Sequence, residues 1–422
     1  MGHHALLEKQ SAYGRMIERL NRFPQGAPES ATLYSILKML FTEKEADLVA
    51  QMPIKPFTVS QAAERWSMTE SDAARILDNL ADRAMLVDLE VNGKQQYCLP
   101  PPMAGFFEFA MMRVRTDIDQ KTLSELYYQY IDTEEEFMRA LFMDGETGLG
   151  RVFVQEPAVT EPFRMEILDW EKASYVIETA KYRGISMCYC RHKKTHLGTA
   201  CDAPIDICMT FNSAARSLIK HGHAREVGKT ECMELLHKAY EHNLVQFGEN
   251  VREGVNFICN CCGCCCEALA AVKRFQMTQS IHSNFIAEIN RSSCVKCGKC
   301  AELCPVGALS AAKDAEGKRT IEFNPEICLG CGVCTRGCRK EAVRLVPRPN
   351  RTISPVNTTH RAVLMAAERG GLQDLIFDNR MLFSHRLLAG VLGAILKLPP
   401  LQRSLAQKQL KSRYIEALMK KI

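Results

Sequence analysis

The residues of this chain best suited to chemistry are its cysteines, 20 of 422. Eight of them repeat one spacing. Residues 294–305 read CVKCGKCAELCP and place Cys294, Cys297, Cys300 and Cys304; residues 328–338 read CLGCGVCTRGC and place Cys328, Cys331, Cys334 and Cys338. Three thiolates spaced C-x2-C-x2-C can wrap three corners of one iron–sulfur cube in a tight loop, and a fourth, one turn further on at the start of a helix, points elsewhere. Gly298, Gly330 and Gly332 interrupt the loops, where a missing side chain lets backbone N–H groups approach sulfide. Ordinary core packing does not produce two matched repeats of this kind.

The pattern resembles that of the bacterial two-cluster ferredoxins over residues 291–350. The resemblance implies two [4Fe–4S] clusters. Cys294, Cys297, Cys300 and Cys338 would hold one; Cys328, Cys331, Cys334 and Cys304 would hold the other. It implies electron transfer and leaves the electron partner open. One departure is Arg339, which follows Cys338 where proline is usual in that family; its positive charge is expected to raise the potential of the nearby cluster. Residues 311–323, with a turn at 314–317, predict a hairpin between the repeats.

Ten further cysteines lie upstream in two groups: Cys188, Cys190, Cys201 and Cys208, then Cys259, Cys261, Cys262, Cys264, Cys265 and Cys266 in the run CNCCGCCC. Six cysteines in eight residues point in different directions, so they can neither pack one core nor bind one cubane together. Pairs two or three residues apart can converge, which leaves Cys259/Cys262, Cys261/Cys264 and Cys262/Cys265 as options. A helix from about Glu267 would put residues 264–266 at its N-terminus, where thiolates are favoured. A helix over residues 227–243, capped at Thr230, separates the two groups. We expect the fold to gather the ten thiols around at least one further Fe–S centre; structural zinc or a metal-free dithiol set are the alternatives.

The neighbouring residues are read more plainly. His192 and His196 are expected on an exposed loop beside Lys193 and Lys194, with ligation as the sharper option. Arg191 could hydrogen-bond a sulfide or an anionic substrate. His221 and His223 would follow a helix as partners of its C-terminal dipole. Cys98 and Cys232 read as ordinary thiols. GETGLG at residues 145–150 matches no phosphate or dinucleotide loop and reads as a turn. No nucleotide or flavin motif stands out.

Composition bounds the rest. Apolar residues make up 46%, enough for packed cores, and 54 basic against 49 acidic residues give a net charge of +5, too balanced to suggest a nucleic-acid binder. MGHHALLEKQ lacks the apolar stretch of a secretory signal, so the cysteines predict metal and redox chemistry in a reducing cytoplasm, that of an anaerobe, and not a disulfide framework. No apolar run reaches the roughly 18 residues of a membrane span. Residues 387–398, LLAGVLGAILKL, stop at a Pro-Pro pair, and the basic tail 402–422 follows. These would form helices docked on the core, or a peripheral contact with a partner or the inner face of a membrane.

Around these sites we expect a multidomain α+β chain, mostly helical. Residues 1–27 and a stretch from Ser30 predict helices. Residues 59–66 predict a short helix, and 70–83 a second one capped by Thr69 with Asp72 at the capping-box position. Strands at 85–90 and 95–99 flank Asn92-Gly93, a hairpin signal. Helix–turn–helix followed by a hairpin resembles the winged-helix fold of bacterial regulators. Glu70, Asp72, Asp78 and Asp82 against Arg75 and Arg83 make the second helix a poor match for phosphates, so a protein-interaction role is expected. Residues 123–140 predict one helix with a tyrosine face. The expected domains are a winged-helix-like 1–105, a mostly helical 106–180, a cysteine-rich helical 181–290, the dicluster module 291–350, and a helical docking region 351–422. As a whole the chain resembles 4Fe–4S-binding proteins of anaerobic bacteria and archaea.

The functional reading is an electron-transfer protein or subunit that passes electrons between the ferredoxin clusters and the upstream centre, with a redox protein as partner. Two others stay open: an oxidoreductase whose active site is that centre, and a redox-sensing regulator with the winged helix as output.

Overall fold

In the computed structural model, residues 9–276 and 281–376 are described. The described residues form two compact units: those up to 147 with 216–224 and those from 358 on, and residues 148–215 with the described part of 225–357. The stretches 387–398 and 402–422 lie outside the described residues. Among the described residues no helix is long and apolar enough to cross a membrane.

The first unit is a set of short helices started by side-chain caps. Ser11, Ser30 and Thr42 begin Ala12–Leu20, Ala31–Leu40 and Glu43–Ala50; Thr58 and Thr69 begin Val59–Trp66 and Glu70–Asp82. Thr42/Glu45 and Thr58/Gln61 form full capping boxes. At Thr69 the expected box does not form: the carboxylate of Asp72 instead accepts from the Thr69 hydroxyl at 2.8 Å. β1 (Val87–Val91) and β2 (Lys94–Cys98) pair antiparallel, and Asn92 and Gly93 turn between them with φ of 52° and 73°, the left-handed values a tight hairpin needs. The single helix expected over 123–140 is instead broken. Gln120–Tyr127 runs into a π-turn, Tyr128–Thr133, and Glu134 is extended before Glu135–Phe142. Aromatic packing accompanies the break: Phe107 lies 5.0 Å from the Tyr127 ring, and Tyr130 lies 5.0 Å from Phe137.

Asp88 of β1 is buried yet ionised. Burial pushes its carboxyl up, but hydrogen bonds from His221, Lys220 and Ser217 outweigh this and hold it well below the usual range. His221 in turn is raised, chiefly by Asp88 at 3.1 Å and, against the cost of burial, by Asp82 at 2.5 Å. The imidazolium therefore stabilises this unit fully below the unfolded value of about 6.5, and that stabilisation is lost as pH rises through the higher folded value. An NMR titration should place His221 above an ordinary histidine, and Asp88→Asn should bring it down. An unmoved midpoint in that variant would refute the pairing.

In the second unit the region expected to be a helical cysteine-rich domain is a six-stranded antiparallel sheet. Its members are β3 (Gly150–Phe153), β4 (Arg183–Met187), β5 (Asp206–Phe211), β6 (Arg225–Glu226), β7 (Val245–Glu249) and β8 (Phe257–Cys261), in the order β3-β7-β8-β5-β4-β6. Residues 207–211 are all buried, so β5 carries no polar–apolar alternation to mark it as a strand. The helix expected over 227–243 is Lys229–Glu241, with Gly228 and not Thr230 at its start. Ile185, Met209 and Ile258 share a core with Val176 and Leu236 from helices Ala173–Thr179 and Lys229–Glu241. Because side chains alternate along a strand, Cys208, Cys259 and Cys261 face the opposite side.

The repeat-bearing segment is framed by β9 (Phe285–Ile289) and β12 (Val343–Pro347), an antiparallel pair. Inside it β10 (Leu309–Lys313) and β11 (Arg319–Phe323) form the expected hairpin.

Candidate metal centres

The eight repeat cysteines fall into two sets, each taking its fourth member from the other repeat. Cys300, its thiol raised by burial, has Cys294, Cys338 and Cys297 beside it. Cys334, raised further by deeper burial, has Cys331, Cys328 and Cys304. Gly298 (φ 85°) and Gly332 (φ 94°) take the left-handed conformation just before the helices Lys299–Leu303 and Val333–Arg336, which carry Cys300 and Cys334. A side chain at Gly330 would strike the Phe285 carbonyl at 2.0 Å. Cys304, Cys328, Cys331 and Cys334 line a cavity whose other walls include Leu309, Leu329 and Leu345. Four sulfurs converging on an apolar hollow fit a bound iron–sulfur cluster. Arg348 braces the set by donating to the Cys328 carbonyl at 2.6 Å. Arg339 is exposed.

The ten upstream cysteines divide into six and four. The six form a closed ring of neighbouring thiols: Cys188 meets Cys190 and Cys208, Cys208 meets Cys259, Cys259 meets Cys261, Cys261 meets Cys266, and Cys266 meets Cys190. Cys208 comes from β5, and Cys259 and Cys261 from alternate positions of β8. Cys188 and Cys266 are the N-cap residues of helices Tyr189–His196 and Glu267–Phe275, neither capped by a side chain. Both thiols are held well below the ordinary cysteine range, chiefly by hydrogen bonds from neighbouring thiols; the helix N-termini add to this. The second group is Cys201, Cys262, Cys264 and Cys265, whose sulfurs all lie within 4.8 Å of one another. Of the expected pairs, Cys262/Cys265 meet; Cys259/Cys262 and Cys261/Cys264 are split between the groups.

Arg191 stands between the groups. It donates to the Pro204 carbonyl at 2.6 Å and the Asn260 carbonyl at 2.8 Å, and its charge lies beside Cys188, Cys262 and Cys208. Its buried Nε has no oxygen acceptor. His192 and His196 are not on an exposed loop as expected. They sit on helix Tyr189–His196, His192 is buried, and their Nε2 atoms lie 3.2 Å apart. Cys232 is buried with its thiol pushed up to about 12, and Cys98 is half-buried; neither joins a group.

A line of buried polar residues connects the sites. The Gln155 N–H donates to the Cys331 carbonyl at 2.9 Å, and its amide donates to Gln246 Oε1 at 3.2 Å. The Gln246 amide donates to Asn260 Oδ1 at 2.9 Å, and Arg191 caps the Asn260 carbonyl. These four side chains are between 0% and 2% exposed, so the chain of bonds is shielded from water from one end to the other. A second contact runs beside it: a Cβ at Gly263 would lie 2.3 Å from the Pro305 carbonyl oxygen, so the loop of cysteines is seated against the residue after Cys304. Arg191 was marked by its place after Cys190 and Asn260 is enclosed by Cys259 and Cys261, whereas Gln155 and Gln246 carry no such signal.

The comparisons agree with this geometry. Residues 293–342 match the family model of the 4Fe-4S dicluster domain. An uncharacterized ferredoxin of Methanocaldococcus jannaschii is 33% identical over 64 residues, which is 15% of this chain and 82% of the relative. No solved structure matches. With its cysteine repeats, their glycine-turned loops and this likeness over most of a ferredoxin's length, the chain belongs to the ferredoxin family through that module.

Proposed function

We propose that the protein carries electrons between two [4Fe–4S] clusters in the ferredoxin module and a further iron–sulfur centre in the six-thiol ring. Cys294, Cys297, Cys300 and Cys338 hold the first cluster; Cys328, Cys331, Cys334 and Cys304 hold the second. The bound clusters supply one-electron redox steps. The observation that carries the reading is the buried path from the Cys331 carbonyl through Gln155, Gln246 and Asn260 to Arg191. It ties a cluster loop to the ring inside one compact unit. Buried, hydrogen-bonded packing of this kind keeps the surroundings of both ends fixed while charge moves. Six thiols are more than one cubane's four corners need, which favours a larger or unusually ligated centre. That surplus also supports a second reading, in which the ring is the active site of an oxidoreductase and the ferredoxin module feeds it.

The partner in either case is a redox protein. The helix–turn–helix and β1–β2 hairpin we read as a winged-helix-like interaction module, because the acidic helix Glu70–Asp82 suits protein better than nucleic acid. We assign the work to a reducing cytoplasm.

The test is iron and acid-labile sulfide on the chain purified without oxygen, with electron paramagnetic resonance during stepwise reduction. Two cubanes account for about eight iron atoms. The proposal expects more, with the excess lost in a Cys259→Ser/Cys261→Ser variant that keeps the ferredoxin signals. About eight iron atoms in both proteins would refute the further centre.

A further inference from the structure

The four thiols outside the ring form a site of a different kind. Their separations are 3.6 Å for Cys201–Cys262, 3.8 Å for Cys201–Cys265 and 3.8 Å for Cys264–Cys265. One ion bound to four thiolates at about 2.3 Å requires sulfurs roughly 3.8 Å apart, the edge of the tetrahedron. A cubane requires something else. Each of its thiolates binds a different iron and points outward from its own corner, so the sulfurs must stand much further apart than the edge of a single-ion tetrahedron. Cys264 and Cys265 are adjacent in sequence and their sulfurs touch, which suits two corners of one small tetrahedron.

We infer that Cys201, Cys262, Cys264 and Cys265 hold a single zinc ion, separate from any cluster in the six-thiol ring. Four sulfur donors gathered this closely fit a structural zinc site, with no position left open for substrate. Zinc with four thiolates carries a net charge of −2, and the surroundings answer it: Arg191 lies beside Cys262, and Lys273 binds the Gly263 carbonyl in the same loop. The ion would pin the turn around Cys201 to the loop 262–265. That loop leads from β8 into helix Glu267–Phe275 and is seated on Pro305. Zinc has no redox chemistry of its own, so the ion would fix the loop's position while neighbouring centres change charge.

This inference stands apart from the electron-transfer reading, and its measurement is separate. Elemental analysis of the full chain purified anaerobically from zinc-containing medium should give about one zinc per chain. Zinc-edge X-ray absorption should show four sulfurs near 2.3 Å and no neighbouring metal. The Cys264→Ser variant changes the exposed ligand; it should lose most of the zinc and keep its iron and sulfide. No zinc in the intact chain, nitrogen or oxygen in its coordination shell, or a variant that sheds iron together with sulfide would each overturn the inference. The spectroscopy on the intact chain decides the matter even if the variant misfolds. An iron count of about eight beside one zinc would defeat the extra iron–sulfur centre and leave the zinc site standing.

Discussion

Cys331→Ser is expected to strip about four iron atoms and an equal amount of sulfide from the chain, half of what the proposed pair of clusters would hold. The reason lies in the burial of this thiol. Without a metal, burial pushes Cys331 up to about 12, the raised value of a neutral thiol in an apolar hollow. A metal reverses this by favouring the thiolate directly. A serine hydroxyl there is a weak ligand with no water to satisfy it, and a buried polar group left unpaired costs about 1–3 kcal/mol. Leu309, Leu329 and Leu345 close the cavity and offer no replacement donor. The loss should not stop at the cluster. The Cys331 carbonyl anchors Gln155, which is hydrogen-bonded to Gln246 in the central sheet, so a disordered loop would loosen β3 and β7 as well. The exposed Cys297 is the internal control: Cys297→Ser should retain more iron, because water can reach the hydroxyl. Iron and sulfide analysis with reduced-state paramagnetic resonance reads both variants. A full complement of iron in Cys331→Ser would remove this residue from the ligand set.

How much of this was legible beforehand varied with the kind of signal. The repeats at 294–338 were readable because a cluster dictates ligand spacing within a single loop, and that spacing is written directly in the sequence. The hairpin at Asn92-Gly93 and the cap at Thr69 were readable for a similar reason: each is a local rule satisfied within a few residues. The sheet of the second unit was not. Apart from the short exposed β6, its strands are mostly buried along their length and so show no polar–apolar alternation, and the antiparallel neighbours β5 and β8 lie about 50 residues apart. The division of ten cysteines into six and four was likewise hidden, since Cys201 joins Cys262, Cys264 and Cys265 only through that sheet. Gln155, Gln246 and Asn260 look like ordinary polar residues until strand pairing sets them in one line.

Lys193→Met should destabilise the second unit by about 3–5 kcal/mol, the usual cost of leaving one member of a buried ion pair without its partner. Lys193 and Glu267 form such a pair, with side chains 0% and 4% exposed, so solvent does little to screen either charge. Their positions make the pair more than a local contact. Lys193 lies on helix Tyr189–His196, whose N-cap is Cys188, and Glu267 opens helix Glu267–Phe275, whose N-cap is Cys266. Two ring thiols are therefore carried by the two helices that the ion pair joins. Removing the lysine leaves a carboxylate buried beside a set of thiolates, and the least costly response is for the helices to move apart and admit water. The ring then loses its registry, so a fall in chemical-denaturation midpoint should come with loss of the iron not accounted for by the ferredoxin module. The double variant Lys193→Met/Glu267→Leu distinguishes charge from packing. It buries no unpaired charge, and replacing both partners of such a pair by well-packed apolar groups is often neutral or stabilising. It should recover most of the stability and, if the helices return to their places, the ring iron too. Equal destabilisation of the single and double variants would show that the pair contributes through shape alone.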